Sequence, residues 1–155
     1  MGMQRNTKDM TLNQVIKESA RLGSQVYIAT VSPSGMPYVT PVAAAWKDDK
    51  LWAAVGLYQA KVKNIRAGND QISCHWQAGQ STNYDNLMIW GRAQIFDDVE
   101  TKKSMWEGVF DYDLTAMNGG GPEDTPHSCL LAIIPERALL LRNFGFEGRE
   151  AWRAI

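Results

Sequence analysis

The sequence predicts a mainly β protein with flanking helices, built as a small closed antiparallel barrel. Three observations predict it. Short runs of β-branched and aromatic residues recur along the chain, separated by Gly, Pro, Asp and Asn. Two or three segments carry a helical period. The first connections between strands are short enough to impose antiparallel neighbours, and closing such a meander removes its exposed edges.

The elements follow in order. Thr11 and Gln14 have capping-box spacing, and Leu12, Val15 and Ile16 recur on one face, so a helix spans 11–22 and Gly23 ends it. Val26 to Val31 is the first strand. Ser32-Pro33-Ser34-Gly35 is a turn, with Pro presetting the bend and Gly free to take positive φ. Tyr38 to Trp46 is the second strand, Asp48-Asp49 a turn, and Leu51 to Val55 the third strand. Lys61 to Ala67 changes to a helical period, with Val62 and Ile65 on one side, until Gly68-Asn69-Asp70 breaks it. Ile72 to Trp76 is a fourth strand and 79–85 a polar loop. Leu87 to Phe96 is a fifth strand, in which Gly91 marks a bulge or a close backbone approach. Asp97-Asp98 cap a helix from Val99 to Phe110, whose apolar face is Val99, Met105, Trp106, Val109 and Phe110. Residues 111–127, with glycines at 119–121, form a loop. Cys129 to Ile134 is a sixth strand, which Pro135-Glu136 kinks before Ala138 to Leu141 continues it.

The chain of 155 residues fits one domain, 1–155, with residues 1–10 expected to be flexible. Its 45% hydrophobic and 21% charged composition excludes a disordered or fibrous class. With 16 basic and 17 acidic residues the net charge is −1, which argues against nucleic-acid binding by phosphate neutralisation. Two cysteines are too few for a disulfide framework, the first ten residues hold no apolar signal, and Leu130 to Ile134 is too short to span a bilayer. These features lead us to expect a cytoplasmic protein without a membrane partner.

Classical catalytic signatures for hydrolases, phosphate loops and zinc peptidases do not occur in the sequence. Cys74, His75, His127 and Cys129 could be combined into a zinc site, but adjacent strand residues point to opposite faces, so Cys74 and His75 are ill placed to share a metal. The segment from Leu57 to Arg66 is more informative. It joins a strand to a short helix and puts Lys61 in the first turn, where the helix dipole disfavours a cation unless an anion offsets it. Lys63 and Arg66 add positive charge. Spacing alone leaves open an anion site and a solvated basic helix face.

Several stretches in this order resemble the pyridoxamine 5′-phosphate oxidase-like split-barrel superfamily, most closely its general-stress-protein branch. They are Tyr27 to Val31 with the Ser34-Gly35-Met36-Pro37 turn, Thr40-Pro41-Val42, Lys50-Leu51-Trp52, Lys61 to Ile65, Asn86 to Asp97 around Gly91, and Leu130 to Ala138. The resemblance implies a six-stranded antiparallel split barrel that forms a homodimer, with flavin mononucleotide (FMN) at the interface. It places the phosphate-binding lysine on Lys61. The family's strand arginine falls on Thr40, its third-strand hydroxyl on Val55 beside Gly56, and the residues before the lysine on Gln59 and Ala60. Asn86 matches the amide that reaches the flavin from the partner, and Pro41-Val42-Ala43 the backbone along the ring edge. Losing a charged hydrogen bond to phosphate, worth about 1.5–3 kcal/mol, implies affinity weaker by roughly tenfold or more.

The implied activity is that of an FMN-dependent oxidoreductase acting on a small-molecule redox substrate, with the flavin carrying the redox chemistry and no catalytic side chain assigned. The vitamin-converting oxidase reaction is not expected, because Arg142, Arg149 and Arg153 are spaced unlike a substrate-phosphate set and read as a solvated tail. Trp152 is expected to pack on the barrel. Alternatives are the same fold holding a deazaflavin coenzyme, or haem with His75 or His127 as axial ligand, or a cofactor-free stress-response protein acting by contact.

Overall fold

The computed structural model describes residues 6–76 and 78–155. Among them the elements run β1 (Thr7–Asp9), α1 (Leu12–Leu22), β2 (Gln25–Val31), β3 (Pro37–Lys47), β4 (Lys50–Gly56), α2 (Ala60–Arg66), β5 (Gln71–Trp76), β6 (Asn86–Phe96), α3 (Val99–Met105), α4 (Leu114–Asn118), β7 (Ser128–Arg142) and β8 (Gly148–Arg153). Strands β7, β4, β3, β2, β5 and β6 are neighbours in that order, and β6 pairs back onto β7, which closes a six-stranded antiparallel barrel. β8 and β1 extend the sheet beyond β7.

Short turns set this order. Asp48 and Asp49 take φ of 53° and 60°, the left-handed pair of a tight hairpin between β3 and β4. Gly35 takes φ of 87° in the β2–β3 turn. β7 is the hub. One of its edges pairs with β6 along nearly its whole length, while the other takes β4 at Ser128 to Ile133 and then β8 at Arg137 to Arg142. Its register against β6 shifts between Trp90 and Gly91, opposite Pro135. Proline has no N–H for a ladder, so a bulge is where a strand tolerates it. Gly91 is needed there, since a Cβ would overlap the Ile134 carbonyl oxygen.

Alternation along the strands turns Val26, Ile28, Ile72, Cys74, Leu87, Ile89, Leu131, Ile133 and Leu140 into one barrel core. Each large apolar side chain buried in it contributes about 1.5–3 kcal/mol. A second cluster lies on the other face of β4 and β7, where Trp52, Leu130 and Ala132 take Met105, with Val109 and Phe110 packed against them.

α1 carries the expected capping box, Thr11 with Gln14, and ends at Gly23 with φ of 118°. Several expectations are corrected. Residues 1–5 lie outside the described residues; after them Thr7–Asp9 is a strand parallel to β8 and Met10 is buried. α3 stops at Met105 rather than Phe110, with Gly108 at φ of 78° just beyond. Residues 111–127 contain α4, capped by Asp113. The two C-terminal strand pieces are one strand, β7, because the bulge absorbs Pro135. Arg149 and Arg153 lie in β8, and Arg142 is no solvated tail residue. Arg142 donates to Glu18 at 2.9 Å and Glu150 at 2.7 Å and reaches Asp85 at 3.2 Å, while Arg21 bridges Glu18 and Asp85 at 2.8 Å each. Trp152 packs on the barrel core.

Candidate anion and cofactor site

The Lys61 site begins at the end of β4. The Leu57 N–H donates to the His127 carbonyl at 2.9 Å, and the Gln59 N–H donates to the Gly56 carbonyl at 3.1 Å, so the chain turns at once into α2. Val62 and Ile65 plug α2 into the barrel core. The buried Asn64 amide donates to the Thr30 hydroxyl at 3.0 Å and fixes α2 against β2. With this side held inward, Lys61 opens the helix at the rim of a cavity of about 250 Å³.

Its walls are Pro41, Val42 and Ala43 of β3, Ala54 and Val55 of β4, Gln59 and Lys61. Tyr112 and Met117 cover it. The second apolar cluster sets this cover, because Val109 and Phe110 dock on it and carry the following chain across β3 and β4. The Tyr112 hydroxyl then donates to the Ala43 carbonyl at 3.2 Å, and burial pushes its pKa up. Trp106 donates through Nε1 to the Thr115 hydroxyl at 2.8 Å, which ties α4 down with Met117 on it.

Lys61 is 7% exposed. Among the described residues its ammonium has one hydrogen bond, donated to the Gln59 side-chain oxygen at 2.7 Å, and no carboxylate partner. Burial pushes its pKa down. A second buried lysine gives the contrast. Lys102, 2% exposed, donates to the Thr125 carbonyl at 2.7 Å and lies 5.7 Å from the Trp106 ring centroid, so protein groups occupy its surroundings inside the wall. Lys61 has a cavity where those groups would be. A buried cation whose partners are one neutral amide and open space suits an anion, which supplies the missing charge and acceptors.

Of the residues singled out from the sequence, Pro41, Val42, Val55, Gln59 and Lys61 line this cavity. Thr40, Gly56, Ala60 and Asn86 are not in its wall. Thr40 pairs with Ile28 on β2, Gly56 ends β4 opposite Ser128, and Ala60 is the exposed first residue of α2. Asn86 starts β6 opposite Leu141 and is buried. Val55 belongs to the barrel core, so its side chain serves packing. Arg66 pairs with Asp97 at 2.8 Å, which removes it from the expected basic group, and Lys63 is exposed. Cys74 is buried and His75 exposed on opposite faces of β5. Tyr112 and Met117 are the site residues the sequence did not reveal. The signal was present in Asp113, an N-cap residue ahead of Leu114.

Residues 13–140 match the family model described as pyridoxamine 5′-phosphate oxidase. The chain belongs to this family. The fold comparison agrees with that assignment. A protein related to general stress protein 26 from Clostridium acetobutylicum is 18% identical, with a TM-score of 0.72 over 93% of this chain and 96% of the other. A pyridoxamine 5′-phosphate oxidase-related, FMN-binding protein from Nostoc punctiforme is 17% identical, with a TM-score of 0.64 over 89% of this chain and 83% of the other. An F420 reductase is 22% identical, with a TM-score of 0.55 over 74% of this chain and 87% of the other. No curated protein matches the sequence. At these identities the likeness to solved structures is one of fold. No helix among the described residues is long and apolar enough to cross a membrane.

Proposed function

We propose that the protein binds flavin mononucleotide with its phosphate at Lys61, and that it acts as a flavin-dependent oxidoreductase on a small molecule. The observation that carries this reading is the buried Lys61 ammonium, which faces a cavity and lacks a carboxylate partner among the described residues. Membership of the oxidase family and the fold shared with an FMN-binding relative support the choice of flavin as the anion's bearer. Lys61 would hold the phosphate, the Gln59 amide would turn to donate to it, and the backbone of Pro41 to Ala43 would follow the ring edge. Bound flavin would supply hydride or electron transfer.

The cavity of about 250 Å³ suits the phosphate end of the nucleotide rather than the whole of it. Beside it the first half of β3 has no β4 partner, since that pairing begins at Ala44, and Tyr38 and Val39 are 40% and 63% exposed. A second copy covering this edge would enclose the ring and bring its Asn86 to it, which is the homodimer we infer. The fold shared with an F420 reductase makes a deazaflavin coenzyme the second reading.

The test is titration of purified protein with FMN and, in parallel, with a deazaflavin coenzyme, followed by flavin fluorescence and by sedimentation. The reading predicts one flavin per chain on a dimer. Saturation by the deazaflavin with none by FMN would transfer the site to the second reading, and no binding of either would end both.

A further inference from the structure

A larger cavity, of about 670 Å³, lies where β2, β5, β6 and β7 meet beside the end of β8. It shares no lining residue with the Lys61 cavity. Its volume falls in the range of about 300–1,000 Å³ usual for small-molecule sites.

Three side chains in one row of the sheet define it. Trp90 on β6 is directly opposite Arg137 on β7, which is directly opposite Arg153 on β8. Directly opposed residues share a face, and like charges so placed destabilise a sheet. Neither arginine pairs with a carboxylate among the described residues. The Arg137 guanidinium lies 4.1 Å from the Trp90 ring centroid, a cation–π contact that restrains it beside the cavity. Glu136 is the acid in the wall, and it is drawn toward Arg92 at 3.8 Å. The bulge at Gly91 keeps this end of the row clear, because the residue after Trp90 carries no side chain. Ser73 and Gln71 on β5 add neutral hydrogen-bonding groups across the cavity.

We propose that this cleft binds a planar aromatic monocarboxylate. A guanidinium pair with no acid between its members is matched to a carboxylate, which accepts from each in a charge-assisted bond. An aromatic ring extends the Trp90–Arg137 stack. The proposal does not rest on flavin binding, although Pro37 in the cleft wall belongs to the β3 segment that the inferred second copy covers.

The experiment titrates the full chain by calorimetry with naphthoate, with the neutral naphthylmethanol, and with naphthoate in the presence of inorganic phosphate. Naphthoate should bind at least about tenfold more tightly than the alcohol, phosphate should not displace it, and Arg137→Gln or Arg153→Gln should each weaken it at least about tenfold. Arg137→Lys and Arg153→Lys retain the charge but lose the planar fork, so they should fall between, and they serve if a glutamine variant fails to fold. Lys61→Met should leave naphthoate binding unchanged while weakening FMN. Equal affinity for acid and alcohol, displacement by phosphate, insensitivity to both arginines, or no binding of naphthoate would each overturn the proposal. Failure of FMN alone to bind would refute the flavin reading and leave this one standing.

Discussion

Replacing Lys61 by methionine should change ligand-free stability and flavin affinity in opposite directions. The side chain is 7% exposed, and its ammonium has one neutral acceptor, Gln59 Oε1 at 2.7 Å. Holding a charge there costs free energy that one hydrogen bond, net about 1 kcal/mol, offsets only in part. Methionine keeps the unbranched stem and removes the charge, so the ligand-free variant should gain about 1 kcal/mol, or about 2–4 °C in Tm for a domain of this size. Because burial lowers the Lys61 pKa in the folded chain, the unfolded chain holds that proton more tightly. Ligand-free wild-type stability therefore rises with pH through the lowered pKa, and the variant should lose that rise. Flavin binding should move the other way. Loss of one charge-assisted bond to phosphate, about 1.5–3 kcal/mol, weakens FMN by roughly 10- to 150-fold. Thermal melts without ligand and fluorescence titrations with FMN read both effects, with the exposed Lys63→Ala as a control that should change affinity less than about threefold. A Lys61→Met protein that melts lower and binds FMN as well as wild type would refute the reasoning, since that is how a purely structural lysine behaves.

Three further outcomes follow from the geometry. Arg142→Leu should destabilise by about 3 kcal/mol, because it strands Glu18, Glu150 and the buried Asp85, discounted for the partial exposure of the cluster. Burial raises the pKa values of Glu18 and Asp85, but the bonds from Arg142 and Arg21, and for Asp85 from the Asn143 N–H, outweigh it and hold both below the ordinary carboxylate range. Their stabilisation is complete above the unfolded carboxylate pKa of about 4 and is lost as pH falls below it, so acid denaturation should be less steep in the variant. Gly91→Ala should destabilise by about 1–3 kcal/mol in a denaturant melt, as its Cβ meets the Ile134 carbonyl oxygen. Tyr112→Phe removes the bond to the Ala43 carbonyl over the Lys61 cavity, at about 1 kcal/mol, and should weaken FMN several-fold in titration without unfolding the chain.

The barrel was legible where a local rule decided the outcome. Alternation marked β2 to β6, the capping box marked α1, and Gly91 announced the bulge. What escaped depends on distant partners. Pro135 divides β7 when read locally, and only the pairing with Gly91 on β6 shows why the strand continues through it. In β8, Glu150 makes sense only beside Arg142, which Glu18 and Asp85 also hold and which comes from another strand. At the site, Lys61 stood out because a cation opens a helix without an acid nearby. Tyr112 and Met117 did not, because Tyr112 lies in the connection after α3 and Met117 in α4, a helix of five residues too short to show a period. Thr40 lies outside the cavity wall, and Val55, which lines it, also packs in the barrel core, so neither position is readable from local sequence alone.

The central claim is that the Lys61 cavity holds a phosphate, and comparison of FMN with riboflavin, which lacks it, tests that most directly. Wild-type protein should bind FMN at least about tenfold more tightly than riboflavin, and in Lys61→Met that ratio should collapse toward unity. Equal affinities in wild type, or a preference for FMN that survives the substitution, would contradict the account.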